Sequence, residues 1–182
     1  MRRGALLACV VVAAGALLAP RGWALEGQDD AWSVTTVFFI GKSENRNQVH
    51  YGIHLDDTCA PIGDTPVYAY WQMLEHGPSS FEPLLPRERR AYGIAEQRVL
   101  ERTRGPARTR VVLEALRSRP MVVESYSDGK HCVARAVLPM AGTPAVLGDV
   151  FVQLRWPFGV AYLTLAAHSL KDGTLVRERV EP

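Results

Sequence analysis

Gln48-Val49-His50-Tyr51-Gly52-Ile53-His54-Leu55 alternates cleanly over eight residues. Val49, Tyr51, Ile53 and Leu55 fall on one side. Gln48, His50, Gly52 and His54 fall on the other, which is the period of two of a half-buried strand. Just upstream, Val34 to Ile40 is β-branched and aromatic, and Glu44-Asn45-Arg46-Asn47 between the two runs is turn chemistry. The pair therefore reads as a hairpin. Downstream, Pro66 to Met73 sets Tyr68, Tyr70 and Gln72 opposite Val67, Ala69, Trp71 and Met73, giving a third strand.

The C-terminal half repeats this pattern. Met121 to Tyr126 and Cys132 to Leu138 flank Asp128-Gly129, and Val160 to Leu170 and Thr174 to Val180 flank Asp172-Gly173. Both dipeptides are strong hairpin signals. Val146 to Arg155 alternates with Val146, Val150, Val152 and Leu154 on one face. Pro86 to Tyr92 suits a single helical turn, with Pro86 at its start and Gly93 at its end. Ala107 to Arg119 fits either a helix or a bent strand by periodicity, and the strand is preferred for Val111-Val112 before Pro120. The expected fold is mostly β: a single antiparallel domain, either a sandwich or a partly closed barrel, with at most one or two short helical turns.

The N-terminus reads as a targeting segment. Met1-Arg2-Arg3 is basic, Ala5 to Ala19 is apolar, and Gly22 and Ala24 are the small residues a signal peptidase needs. Residues 1–24 are accordingly expected to be a cleaved export signal, 25–33 a polar lead-in, and 34–182 the domain. An uncleaved anchor is the rival, and the apolar run is short for it. The whole chain has 182 residues and a formal charge of +2. Removing Arg2, Arg3 and Arg21 from the 21 basic residues leaves 18 against 19 acidic ones, a net charge of −1. That balance lacks the basic footprint of a nucleic-acid binder. No later apolar stretch has membrane length, so the cleaved chain is expected to have no transmembrane segment.

Signal removal also takes Cys9 and leaves Cys59 and Cys132. In an exported protein two cysteines pair most simply as one disulfide, and the alternative is two separate buried thiols. His50 and His54 share a strand face but lie about 13 Å apart, too far to chelate one metal by themselves. There is no HExxH motif and no carboxylate cluster at metal spacing, so neither metal nor cofactor is expected. There is no GxSxG elbow and no carboxylate pair suited to a glycosidic bond. Arg102, Arg104, Arg108 and Arg110 surround Gly105-Pro106. On paired arms they form an anion patch needing carboxylates or a phosphate-like ligand; otherwise they are a solvated loop. Lys42, Asn45 and Asn47 of the first turn, with Tyr68 and Tyr70 of the third strand, form a candidate pocket rim if the hairpin folds over that strand. The plainer account is that Asn and Ser make the turn and the tyrosines fill a core.

Phe38-Phe39-Ile40-Gly41-Lys42-Ser43-x-Asn45-x-Asn47-x-Val49-x-Tyr51, Pro66-Val67-x-x-Tyr70-Trp71 and Ala91-Tyr92-Gly93 together resemble a bacterial family of exported proteins, domain of unknown function 4833. Val150-Phe151-Val152, Asp172-Gly173 and Arg177-Glu178 fit the tail of that family. The resemblance spans roughly residues 36–182 and implies an exported, β-rich single domain. It brings no activity, cofactor or catalytic residue. The expected function is a non-enzymatic binding or interaction module of the envelope, periplasmic or secreted, with a small molecule or an envelope partner as ligand. Two alternatives stand beside it: a hydrolase or transferase with a loop-borne polar site, and a structural envelope component.

Overall fold

A computed structural model describes residues 33–77, 80–102, 105–155 and 160–181. The expected export signal, nearly all of the lead-in, and Arg104 lie outside the described residues. The described residues belong to one compact unit. Its strands are β1 (Ser33–Lys42), β2 (Gln48–Leu55), β3 (Val67–Gln72), β4 (Phe81–Pro83), β5 (Ile94–Glu101), β6 (Ala107–Leu113), β7 (Met121–Ser127), β8 (Cys132–Met140), β9 (Thr143–Leu154), β10 (Val160–Ser169) and β11 (Leu175–Val180). A seven-residue helix α1 (Pro86–Tyr92) and a 3-10 turn (Glu114–Leu116) complete it. The fold is mostly β, as the alternating runs require.

β9 is the spine, because its twelve residues serve two partners on one edge. Thr143 to Val146 pair with β8, and Asp149 to Val152 then pair in parallel with β1. The other edge of β9 runs along β10, which in turn carries β11. One arm of the sheet is thus β1-β2-β3-β4 and the other β8-β7-β6-β5. Among the described residues every strand pairing is antiparallel except β1 with β9, so the antiparallel expectation is corrected at that one junction.

The fork has a local cause. Ala166 faces Asp149 and Ala167 faces Leu147, which leaves Gly148 as an extra, unpaired residue. A one-residue bulge reverses which side chains face inward. Ala145 and Leu147 are therefore buried before it, and Val150 and Val152 after it. The expectation that Val146 shares a face with Val150 fails for this reason.

Both arms turn their inner faces to one core. Val49, Tyr51, Ile53 and Leu55 of β2 are all buried, as their alternation predicts, and meet Val111, Met121, Val123 and Leu138 of the other arm. The sheet does not close into a barrel. Where β3 meets β5, the amide of Gln97 stands in for a strand: it accepts from the Val67 N–H at 2.9 Å and donates to the Val67 carbonyl at 3.0 Å. Cys59, in the loop after β2, forms a disulfide with Cys132 at the start of β8, with their Cα atoms 5.2 Å apart. Of the two sequence readings for the cysteines, the bonded one holds. No helix among the described residues is long and apolar enough to cross a membrane.

Candidate functional site

Lys42 ends β1 on the inward side, following Phe38 and Ile40. Its ammonium lies 4.8 Å from the centroid of the Trp71 ring. Adjacent strand residues point to opposite faces, so Lys42 reaches the side of β3 opposite Tyr70. Asn45 shapes the turn by accepting the Asn47 N–H on Oδ1 at 3.1 Å. Asn47 is buried, and its side chain is spent on the loop after β3. Its Nδ2 donates to Glu75 Oε2 at 3.3 Å and its Oδ1 accepts the Glu75 N–H at 3.1 Å. The turn is anchored to β9 as well, for Ser43 donates its N–H to the Val152 carbonyl and Ser43 Oγ accepts the Leu154 N–H.

The structure therefore does not gather Lys42, Asn45, Asn47, Tyr68 and Tyr70 into one rim. The turn residues line an open groove of about 330 Å³ together with Phe39, Gly41, Asp149 and Phe151. Gly41 forms its floor, and a Cβ there would meet the Phe151 ring at 3.9 Å.

Tyr68 and Tyr70 lie beyond the groove on the same outer face, where the strand register lines up two rows. In the first, Asp149 faces Phe39, Phe39 faces His50, and His50 faces Tyr70. The ring centroids are 5.6 Å apart from Phe39 to His50 and 5.7 Å from His50 to Tyr70. Phe81, 57% exposed, meets Tyr70 edge-on at 5.7 Å. In the second row Gln48 faces Gln72, Gln72 faces Phe81, and Gly41 faces Phe151. Tyr68 stacks on His54 at 4.3 Å, and its ring lies directly over Gly52, where a Cβ would come within 2.6 Å of its hydroxyl. Gly52 in the opening motif is thus the residue that lets Tyr68 lie flat.

Burial sets the protonation states on this face. It lowers the pKa of His50 and of His54 below the usual 6.5, so both imidazoles are neutral at neutral pH. It pushes Tyr68 up to about 12, with Tyr70 adding to the shift.

The arginines fare differently. Arg102 donates to the carbonyls of Pro61 and Gly63 and meets Asp64 at 3.3 Å. Arg108 pairs with Glu124 at 3.5 Å and Arg110 with Glu96 at 3.0 Å. Each of the three described arginines thus meets a carboxylate within the fold, Arg102 beside the loop after β2 and Arg108 and Arg110 on β6.

A second cluster escaped the sequence reading. Trp71 donates its indole N–H to Glu88 Oε2 at 2.9 Å, and the same oxygen accepts the Leu85 N–H that opens α1. Tyr92 meets the Trp71 ring edge-on at 5.8 Å, and its carbonyl accepts the Tyr51 hydroxyl at 2.6 Å. The signal was present, since Lys42, Tyr51, Trp71 and Tyr92 all sit in the blocks that carry the family resemblance.

The fold and groove define a forked, mostly β domain with an open face of rings and amides. The family model described as Domain of unknown function (DUF4833) matches residues 38–179, and the chain belongs to that family. Neither the curated proteins nor the solved structures contain a match to it.

Proposed function

We propose that this chain is an exported, non-enzymatic binding module of the cell envelope or exterior. Its ligand would occupy the groove between the Lys42–Asn47 turn and β9 and extend onto the Tyr70 face. The observation that carries this reading is the groove itself. It joins turn polar groups to Phe39 and Phe151, and it opens directly onto the outer row of rings. Tyrosine, asparagine and histidine side chains offer contact area and hydrogen bonds at little conformational cost. Export is supported by the basic-apolar-small pattern of residues 1–24 and by the Cys59–Cys132 bond, since such bonds persist mainly in oxidising compartments.

The test is a native mass spectrum of the full chain expressed into a bacterial periplasm. The expected result is an added mass that vanishes on denaturation, over a polypeptide lacking residues 1–24. Gly41→Leu, which fills the groove floor, and Lys42→Ala with Asn45→Ala should each reduce the occupied fraction. Equal occupancy in both variants would put the ligand elsewhere. A wild-type chain that takes up no mass, even from concentrated envelope extract, would overturn the binding reading altogether.

A further inference from the structure

We propose that the outer face of β1 to β4 binds a neutral polysaccharide of equatorially linked pyranose rings lying across the strands, stacked on Phe39, Tyr70 and Phe81 and hydrogen-bonded by Gln48, Gln72 and Asp149. This names the ligand class for the binding reading above and rests on it.

Three features of this face point to that chemistry. First, a row of rings, Phe39, His50 and Tyr70, runs beside a row that holds the amides of Gln48 and Gln72, so apolar and hydrogen-bonding groups lie side by side along the face. A sugar chain has the complementary surface, because each ring carries apolar C–H faces and a rim of hydroxyls. Second, the rows run across the strands, which lie about 4.8 Å apart. An equatorially linked pyranose chain advances by little more than one strand spacing per ring, so successive sugars meet successive strands. Third, the charge is balanced. The His50 and His54 imidazoles are neutral, and Asp149 at one end of the face is opposed by Arg46 in the groove. A polyanion would need a cationic face, and a cationic ligand an acidic one.

The polar groups are also held in place. Gln48 Oε1 and His50 Nε2 are 3.0 Å apart, and the Tyr70 hydroxyl lies 3.3 Å from Thr36 Oγ1. Groups fixed before binding lose less freedom on binding.

The experiment is a calorimetric titration of the full chain with cellohexaose and with chitohexaose, the neutral β-1,4-linked hexamers of glucose and N-acetylglucosamine. At least one should bind, tighter than its trimer, with an affinity that does not change between low and high salt. Phe81→Ala, at an exposed site on a three-residue strand, should weaken it about three- to tenfold, as expected for one lost ring contact. Tyr70→Ala should weaken it at least as much, with the thermal melt of each variant confirming the fold. Gly52→Ala, which must displace Tyr68, is a further probe of ring placement. Failure of both hexamers at millimolar concentration overturns the proposal, as does binding that both ring variants leave unchanged. Capture of anionic-lipid vesicles or a polyanion through these rings overturns it too. If the sugars fail while the chain still carries a mass that Gly41→Leu removes, the glycan assignment is wrong and the groove reading stands.

Discussion

Tyr51 is the clearest case of one residue holding two elements. Its ring is fully buried and stacks on Phe38 at 4.5 Å, while its hydroxyl donates to the Tyr92 carbonyl at the end of α1. Burial and the nearby Tyr92 hydroxyl both raise its pKa far above the ordinary tyrosine value, so it is a permanent donor. Tyr51→Phe keeps the packing and orphans that carbonyl, and should cost about 1–2 kcal/mol in urea unfolding. Histidine gives the pH dependence. His50 and His54 titrate below 6.5 in the folded chain and near 6.5 unfolded, so the unfolded state binds more protons as the pH falls. Their contribution is complete above about pH 6.5 and is lost as the pH drops through their lowered folded values. The urea midpoint should fall between about pH 7.5 and about pH 5.5, and His50→Gln should flatten that slope. An equal slope in the variant would mean His50 takes no part.

At the scale of elements, the hairpins and α1 were legible because their cues are local. Alternation marks β2, Asp128-Gly129 and Asp172-Gly173 mark the later turns, and Pro86 and Gly93 bracket the helix. β4 and β5 were not legible. Three residues show no period, and β5 is exposed or half-buried along its whole length, so neither face stands out in sequence. The parallel β1–β9 pairing is a long-range event with no local cue, and Gly148 looks like any strand glycine until its partners are known. Of the site, the turn chemistry of Asn45 was readable. What was hidden is that Lys42 crosses to the Trp71 side and that Asn47 is committed to Glu75, for these depend on β3 and on the loop after it, 28 residues beyond Asn47 at Glu75.

Two consequences follow at this scale. Deleting Gly148 removes the extra residue, so Leu147, Val150 and Val152 fall in unbroken alternation opposite β10 and both halves of β9 stay in phase with the core. The deletion should therefore leave thermal unfolding cooperative, and loss of a cooperative melt would mean that the fork needs the bend the bulge supplies. Gln97→Ala removes the amide that bridges the seam, leaving the Val67 N–H and carbonyl to find water. It should cost about 1–2 kcal/mol and speed exchange of the Val67 amide proton while sparing β2.

For the molecule as a whole, the disulfide decides how the arms depend on each other. They are joined at β9 through the backbone and again at Cys59–Cys132, which closes a separation of 73 residues. Constraining a loop of that size in the unfolded chain is worth roughly 4 kcal/mol in the chain-entropy account. Cys59→Ser with Cys132→Ser should lower stability by an amount of that order, measured by urea unfolding beside the oxidised protein. A loss below about 1 kcal/mol would show that the core alone fixes the arms.

That bond also governs how the chain would answer a mechanical load. Pulled from its two ends, the oxidised protein can lengthen only through residues before Cys59 and after Cys132. Everything from β3 to β7, with α1 and the 3-10 turn, lies between the two cysteines and bears no tension along its backbone. A reductant would release that shielded length, roughly 250 Å of extra contour in a single-molecule trace. Force on the oxidised chain would instead be concentrated on the β1–β2 hairpin and the β8–β11 segment, which between them contain the strands that meet at the fork.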